Sequence, residues 1–157
     1  QGTAQCPSCQ RFFADAGKNK ECVICRSAGR EKSLLLVAEK DVDLQNIEKA
    51  GFYNGMYFVL GGLVPALGEK LPKEIKIKEL FERIKKDASL GVLREIILAL
   101  NATLEGDSTC RYIEKIIEPI LEKIPIKISR LGRGLSTGTE LEYSDKETIL
   151  HALKNRK

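Results

Sequence analysis

The sequence predicts an α/β fold, in which a small four-cysteine zinc module is followed by a mostly parallel sheet with helices on both faces. Three observations carry this reading: two Cys-x-x-Cys knuckles near the start, apolar runs short enough to be buried strands, and helical spacing between those runs. Strand followed by helix, four times over, implies crossover connections and hence parallel pairing.

The knuckles are Cys6-Pro7-Ser8-Cys9 and Cys22-Val23-Ile24-Cys25, with twelve residues between them. A two-residue spacer lets a tight turn aim two thiolates at one point, and a tetrahedral Zn²⁺ takes four of them at about 2.3 Å. The polar stretch from Phe13 to Lys20 is expected to close as a hairpin tip between the knuckles. Disulfide frameworks belong to secreted chains. This sequence shows no signal-peptide apolar region and no run approaching the ~20 apolar residues of a membrane span. A reducing, cytoplasmic compartment with no membrane contact is therefore expected. Iron in the same four thiolates stays open as an alternative ion. Cys110 has no partner in spacing and reads as packing on a helix, not as a nucleophile.

At 157 residues and 43% hydrophobic content, the chain can bury one ordinary core beside a metal-stapled module. Its formal charge of +4 is unevenly placed. Residues 1–33 hold six Lys/Arg against three Asp/Glu, residues 125–157 seven against four, and the middle thirteen against fifteen. Both ends are basic, which is compatible with nucleic acid without demanding it.

Along the chain, Leu34–Ala38 is an apolar run of the kind buried on both faces of a parallel sheet. Residues 42–50 read as a helix ended by Gly51, which suits the left-handed position. Met56–Leu60 is a second strand, closed by Gly61 and Gly62. Ile77, Leu80, Phe81 and Ile84 mark a helix over 77–86, and Ile96–Leu100 a third strand. A helix over about 107–124 carries Ile113, Ile116, Ile117 and Ile120 on one side, and Pro119 is expected to kink or split it. Ile126–Leu131 alternates as a fourth strand with one wetter face. The glycine-containing loop 132–138 lacks the Gly-Lys-Ser/Thr of a phosphate cradle. Asp145 is the expected N-cap of a terminal helix, in which His151 reads as packing or a solvated side chain.

Ligands of open parallel sheets collect at the carboxyl ends of the strands. Glu39, Asp41 and Asp43 follow the first strand; Asn101, Thr103, Glu105 and Asp107 follow the third. Together they are a candidate oxygen-ligand site for Mg²⁺. The same residues also read as loop and capping positions, with Asp107 opening a helix and Asp43 in the first turn of another.

The motifs run in a specific order: Cys6-x-x-Cys9 and Cys22-x-x-Cys25, Val37-Ala38-Glu39 with Asp43, Gly51-Phe52-Tyr53, then Tyr57-x-Val59-Leu60-Gly61-Gly62. Asn101-x-Thr103-x-Glu105-Gly106-Asp107-x-Thr109, Arg130-x-x-Arg133-Gly134-Leu135 and Leu141-Glu142-Tyr143-x-Asp145 follow. From Cys6 to about residue 155 this series resembles the RecR recombination mediators. The resemblance implies a zinc module followed by a Toprim domain, the α/β fold shared with topoisomerases and bacterial primases. It further implies ring-like tetramers able to encircle DNA, and loading of recombinase onto gapped DNA with RecO and RecF. The C-terminal stretch would exchange between subunits, with the glycine-containing loop as its hinge.

The expected layout is a disordered or tag-derived segment over 1–5, the zinc module over 6–32, the Toprim domain over 33–130 and the C-terminal loop and helix over 131–157. The family usually begins with a helix-hairpin-helix segment, whereas only five residues precede Cys6 here. A truncated chain forming an open dimer with weak DNA binding is the corresponding expectation. Ala102 stands where the family usually has proline. Toprim catalysts hold Mg²⁺ with a glutamate and an Asp-x-Asp pair; Glu39 matches the glutamate, but Asn101-Ala102-Thr103 supplies neutral groups. Mg²⁺ should bind weakly, and Tyr53, Tyr57, Tyr112 and Tyr143 have packing or interface readings. The expectation is a non-enzymatic scaffold without catalytic residues, the alternative a metal-dependent Toprim nuclease or primase-like enzyme. Glu39, Glu105 and Asp107 are the candidate surface for a basic partner, RecO by resemblance. Arg11, Lys18, Lys20, Arg26, Arg30, Lys32, Arg130 and Arg133 are the candidate DNA contacts.

Overall fold

The computed structural model describes residues 2–15, 17–65, 70–131 and 146–156. Gly2–Gln5 (β1) pairs antiparallel with Phe12–Asp15 (β2), Gly2 opposite Asp15 and Gln5 opposite Phe12. Residues 2–5, expected to be disordered or tag-derived, form a paired strand. The first knuckle is itself the hairpin turn: the Cys6 amide donates to the Arg11 carbonyl at 2.8 Å and the Gln10 amide to the Cys6 carbonyl at 2.8 Å. The chain before Cys6 is thereby carried back along the chain after Arg11. The hairpin tip lies at residues 6–11, not at 13–20, and Gln10 takes φ 65° there. A one-turn helix, Val23–Arg26 (α1), carries the second knuckle.

The main sheet has four parallel strands, Glu31–Ala38 (β3), Gly55–Val59 (β4), Glu95–Ala99 (β5) and Lys127–Arg130 (β6), in the order β4-β3-β5-β6. β3 begins at Glu31, so one strand straddles the expected module boundary at 32/33. Asp41–Ala50 (α2) connects β3 to β4, Ile77–Ser89 (α3) connects β4 to β5, and Leu104–Leu121 (α4) connects β5 to β6. The first crossover runs outward across the sheet and the next two run back. With right-handed connections this puts α2 on one face and α3 and α4 together on the other. α3 and α4 pack on each other, and α2 lies against β3 and β4. Lys146–Lys154 (α5) ends the described chain.

Tyr57, Phe58, Leu35, Val37, Ile96 and Leu98 form the centre, each at most 1% exposed. Burying each such side chain contributes about 1.5–3 kcal/mol. Gly51 takes φ 78° as the C-cap of α2, the left-handed position predicted for it. α4 starts at Leu104, earlier than its expected start near 107. The Thr103 hydroxyl accepts from the Gly106 amide at 3.0 Å and caps the helix, which places Asp107 inside the first turn. Pro119 does not split α4; so near the end at Leu121, its missing N–H forgoes only a late helical bond. Loop 132–138, Tyr143 and Asp145 lie outside the described residues.

Candidate metal centre and acidic rim

The two knuckles meet in space. The sulfurs of Cys6, Cys9, Cys22 and Cys25 all lie within 4.8 Å of one another, the only such group of three or more possible ligands among the described residues. Cys6 and Cys25 Sγ are 3.8 Å apart, Cys9 and Cys22 Sγ 3.7 Å. Four thiolates at about 2.3 Å from a central ion would have edges of about 3.8 Å, so the cage already has the size of a tetrahedral site. All four side chains are at most 9% exposed, which closes the coordination sphere to substrate. The Cys22 amide also donates to Cys6 Sγ at 3.4 Å. Hydrogen bonds from the Cys25 and Cys9 thiols hold Cys22 far below the ordinary thiol range, and their bonds to Cys22 push Cys9 and Cys25 up. This donor set suits a structural Zn²⁺.

The first knuckle is also fastened to the sheet. The Val59 amide at the end of β4 donates to the Cys9 carbonyl at 2.7 Å. The Arg83 guanidinium, from α3, donates to the Ser8 carbonyl and to Asp87 Oδ2, the latter at 2.8 Å. On β4 itself, Arg30 takes the Gly55 carbonyl at 2.7 Å and the Tyr53 hydroxyl takes the Met56 carbonyl at 2.8 Å. An edge strand is thus occupied by the protein's own groups.

At the carboxyl ends of the strands the sheet brings Glu39 and Asn101 together. Glu39 is 8% exposed, and the Asn101 amide donates to its Oε1 at 3.1 Å, with Lys40 Nζ 3.9 Å from Oε2. An amide occupies the place where a second carboxylate would complete an oxygen cage. Glu105 is exposed on the first turn of α4. Asp107, half-buried, lies 4.0 Å from Arg130 Nη1. Gly106 is required between them, because a Cβ there would overlap the Asn101 carbonyl.

The candidate DNA contacts differ in their exposure and partners. Lys18, Lys20, Arg26 and Lys32 are exposed and Arg11 is half-buried. Arg30 is corrected as a free phosphate contact: its guanidinium is bidentate to Glu48 at 2.7 and 3.0 Å and sits 5.5 Å from the Tyr57 ring centre. Burial works to raise the Glu48 carboxyl, but Arg30 and the Tyr57 hydroxyl outweigh it and hold Glu48 below the usual carboxylate range. Arg130 is bonded to Glu114 at 2.9 and 3.0 Å at the acidic end of the sheet, with its side chain 39% exposed. Arg133 lies outside the described residues. Burial pushes Tyr53 up, and burial followed by the Glu48 bond pushes Tyr57 up to about 12. Both phenols stay protonated and structural.

The Toprim domain family matches residues 33–132, and the family described as RecR, C-terminal matches residues 134–157. The "Recombination protein RecR" of Chlorobaculum tepidum is 40% identical over 152 residues, 97% of this chain and 71% of that protein. The proteins of the same description from Chlorobium phaeobacteroides and Lactobacillus helveticus are each 38% identical over the same shares. The chain belongs to the RecR family. Family membership and the Toprim fold were both readable from the motif order. Two features were not: the Arg83 and Val59 fastenings of the first knuckle, and the strand before Cys6. An arginine on a helix has the same sequence signature whether it faces solvent or a distant carbonyl. Among the described residues, no helix is long and apolar enough to cross a membrane.

Proposed function

We propose that this RecR-family chain is a non-enzymatic recombination mediator in DNA repair. In this reading it forms part of a DNA clamp that helps load recombinase on gapped DNA with RecO and RecF. The single observation that carries the non-enzymatic reading is the bond from Asn101 to Glu39, an amide where Toprim catalysis calls for a carboxylate. One buried carboxylate and an amide make a weak Mg²⁺ site. The four-cysteine cage holds Zn²⁺ and serves folding. Glu39, Glu105 and Asp107 form the docking surface for a basic partner. Arg11, Lys18, Lys20, Arg26 and Lys32 contact DNA, and copies of the chain associate through the C-terminal stretch. Its place is the cytoplasm, at the nucleoid.

The test is incubation with supercoiled and single-stranded DNA in Mg²⁺ or Mn²⁺. No cleavage is expected. Robust cleavage that disappears in Glu39→Ala would overturn the proposal in favour of a metal-dependent Toprim nuclease or primase-like enzyme.

A further inference from the structure

We infer that Thr109 is a positioning residue of the acidic docking surface. Its buried hydroxyl fastens the loop after β4 to the first turn of α4, so that the backbones of Glu39 and Glu105 are held at the two ends of one short segment, Gly61–Val64. The inference rests on the partner-docking reading above and adds the residue that holds that surface together.

Among the described residues only Glu39 and Thr109 are buried polar or charged residues, and Thr109 is 0% exposed. Its hydroxyl donates to the Glu105 carbonyl at 2.7 Å and accepts from the Val64 amide at 2.8 Å. The first bond is the ordinary one for a threonine inside a helix, made to the carbonyl four residues earlier. The second is not local, since it reaches an amide 45 residues back along the chain. Donation to Glu105 fixes the hydroxyl proton and leaves the lone pairs for Val64, so one oxygen joins loop to helix.

The other end of the segment is held as firmly. The Gly61 amide donates to the Glu39 carbonyl at 2.8 Å, and the Lys76 amide to the Leu60 carbonyl at 2.8 Å. Gly61 takes φ 89°, and a Cβ there would crowd the Glu74 carbonyl, while one at Gly62 would press on Ile75. From Gly61 N to Val64 N the chain can reach at most about 11 Å. A basic partner that pairs with exposed Glu105 and lies across this segment therefore meets a surface already ordered, and does not have to order it on binding. Glu105 supplies the attraction. Thr109 is uncharged and sealed beneath the surface, so it acts only through the groups it holds.

RecO, the basic partner proposed above, is the probe. Thr109→Val keeps the branched shape and removes both bonds, while Thr109→Ser keeps the hydroxyl. At a temperature where melting curves show every variant folded, Thr109→Val should weaken RecO binding about fivefold, through faster dissociation. Its association rate and salt dependence should stay at the wild-type values, because no charge has changed. Exchange of the Val64 amide should speed up in the same variant, and Thr109→Ser should bind as the wild type does. Should Thr109→Val not fold, Val64→Pro removes the loop's donor while Thr109 stays bonded to Glu105, and the same weakening is expected. Wild-type affinity in whichever of the two folds overturns the inference, as does a Thr109→Ser variant as weak as Thr109→Val. Glu105→Lys separates the two readings. Where it weakens RecO binding and Thr109→Val does not, the docking surface stands and Thr109 has no part in it; where Glu105→Lys binds as the wild type does, both fall.

Discussion

The Val59 amide donates to the Cys9 carbonyl at 2.7 Å, so the last residue of a core strand is held by a metal knuckle. Zinc binding in small modules supplies on the order of 10 kcal/mol of folding free energy. With zinc in the four-cysteine cage, that energy would reach beyond the module, because a knuckle without its ion would lose the geometry that aims the Cys9 carbonyl. Chelation, or Cys22→Ser, should therefore remove stoichiometric zinc and raise hydrogen exchange at Val59 along with exchange in the module. Elemental analysis paired with exchange measurements checks this. Well-folded protein without metal, or a Val59 amide as protected as before, would count against the coupling.

Arg83 makes the second fastening, and its partners are known atom by atom. Its side chain is only 14% exposed and joins the Ser8 carbonyl to Asp87. Arg83→Met keeps the aliphatic stem and removes the charged donors, leaving a carbonyl and a carboxylate short of their partner. A loss of about 2 kcal/mol is expected, seen as a lower denaturant midpoint with zinc content unchanged. Arg83→Lys should recover only part of it, since an ammonium cannot serve both acceptors in a fork.

These fastenings mark the boundary of what the sequence discloses. Leu34–Ala38, Met56–Leu60 and Ile96–Leu100 were legible as strands because a strand buried on both faces is continuously apolar, and Val37, Phe58 and Leu98 are indeed almost fully buried. Gly2–Gln5 carries no such signal: its order comes from pairing with Phe12–Asp15 once the knuckle has turned the chain. The meeting of Glu39 with Asn101 followed from parallel strands ending side by side. The pairing of Arg30 with Glu48 did not, since a basic residue in a basic module looks the same whether it turns outward or inward. Position along the chain predicts which end of a sheet a loop occupies; it does not predict which loop cation finds an internal carboxylate.

The Arg30 to Glu48 pair gives stability a defined pH response. The folded-state pKa of Glu48 is depressed, by Arg30 and Tyr57 against the opposing effect of burial. Its contribution is fully present above the unfolded value of about 4.3 and is lost as pH falls through the lower folded value. Glu48→Gln should cost about 2 kcal/mol at neutral pH, and the gap to wild type should close on acidification below about pH 4. Parallel melting curves from pH 7 downward test this; a gap that widens in acid would show the sign to be wrong.

Gly106 sets the distance between α4 and the loop that carries Asn101. A methyl group there would overlap the Asn101 carbonyl, a backbone atom that cannot rotate away. Gly106→Ala should destabilise by about 1–3 kcal/mol as an overpacking change, despite alanine being the better helix former. It should also displace Asn101 from Glu39. Thermal melting reports the first effect, and the Asn101 side-chain amide resonance in NMR the second. A variant as stable as wild type would show that the loop gives way freely.

Glu105 offers the cleanest test of the acidic rim, because it is exposed and in the first turn of α4, while Glu39 is buried against Asn101 and Asp107 lies beside Arg130. Reversing its charge alters the surface with little change to the core, although a lysine near a helix N-terminus costs up to about 1 kcal/mol of helix stability. If a basic RecO docks here, Glu105→Lys should weaken the complex and reduce its salt sensitivity, since attraction between exposed charges is screened over about 10 Å at 0.1 M salt. The loss should appear mainly as slower association. Titration calorimetry and stopped-flow association at two salt concentrations separate this from general destabilisation. A variant with wild-type affinity and wild-type salt dependence would place the partner elsewhere and leave the rim with a capping role alone.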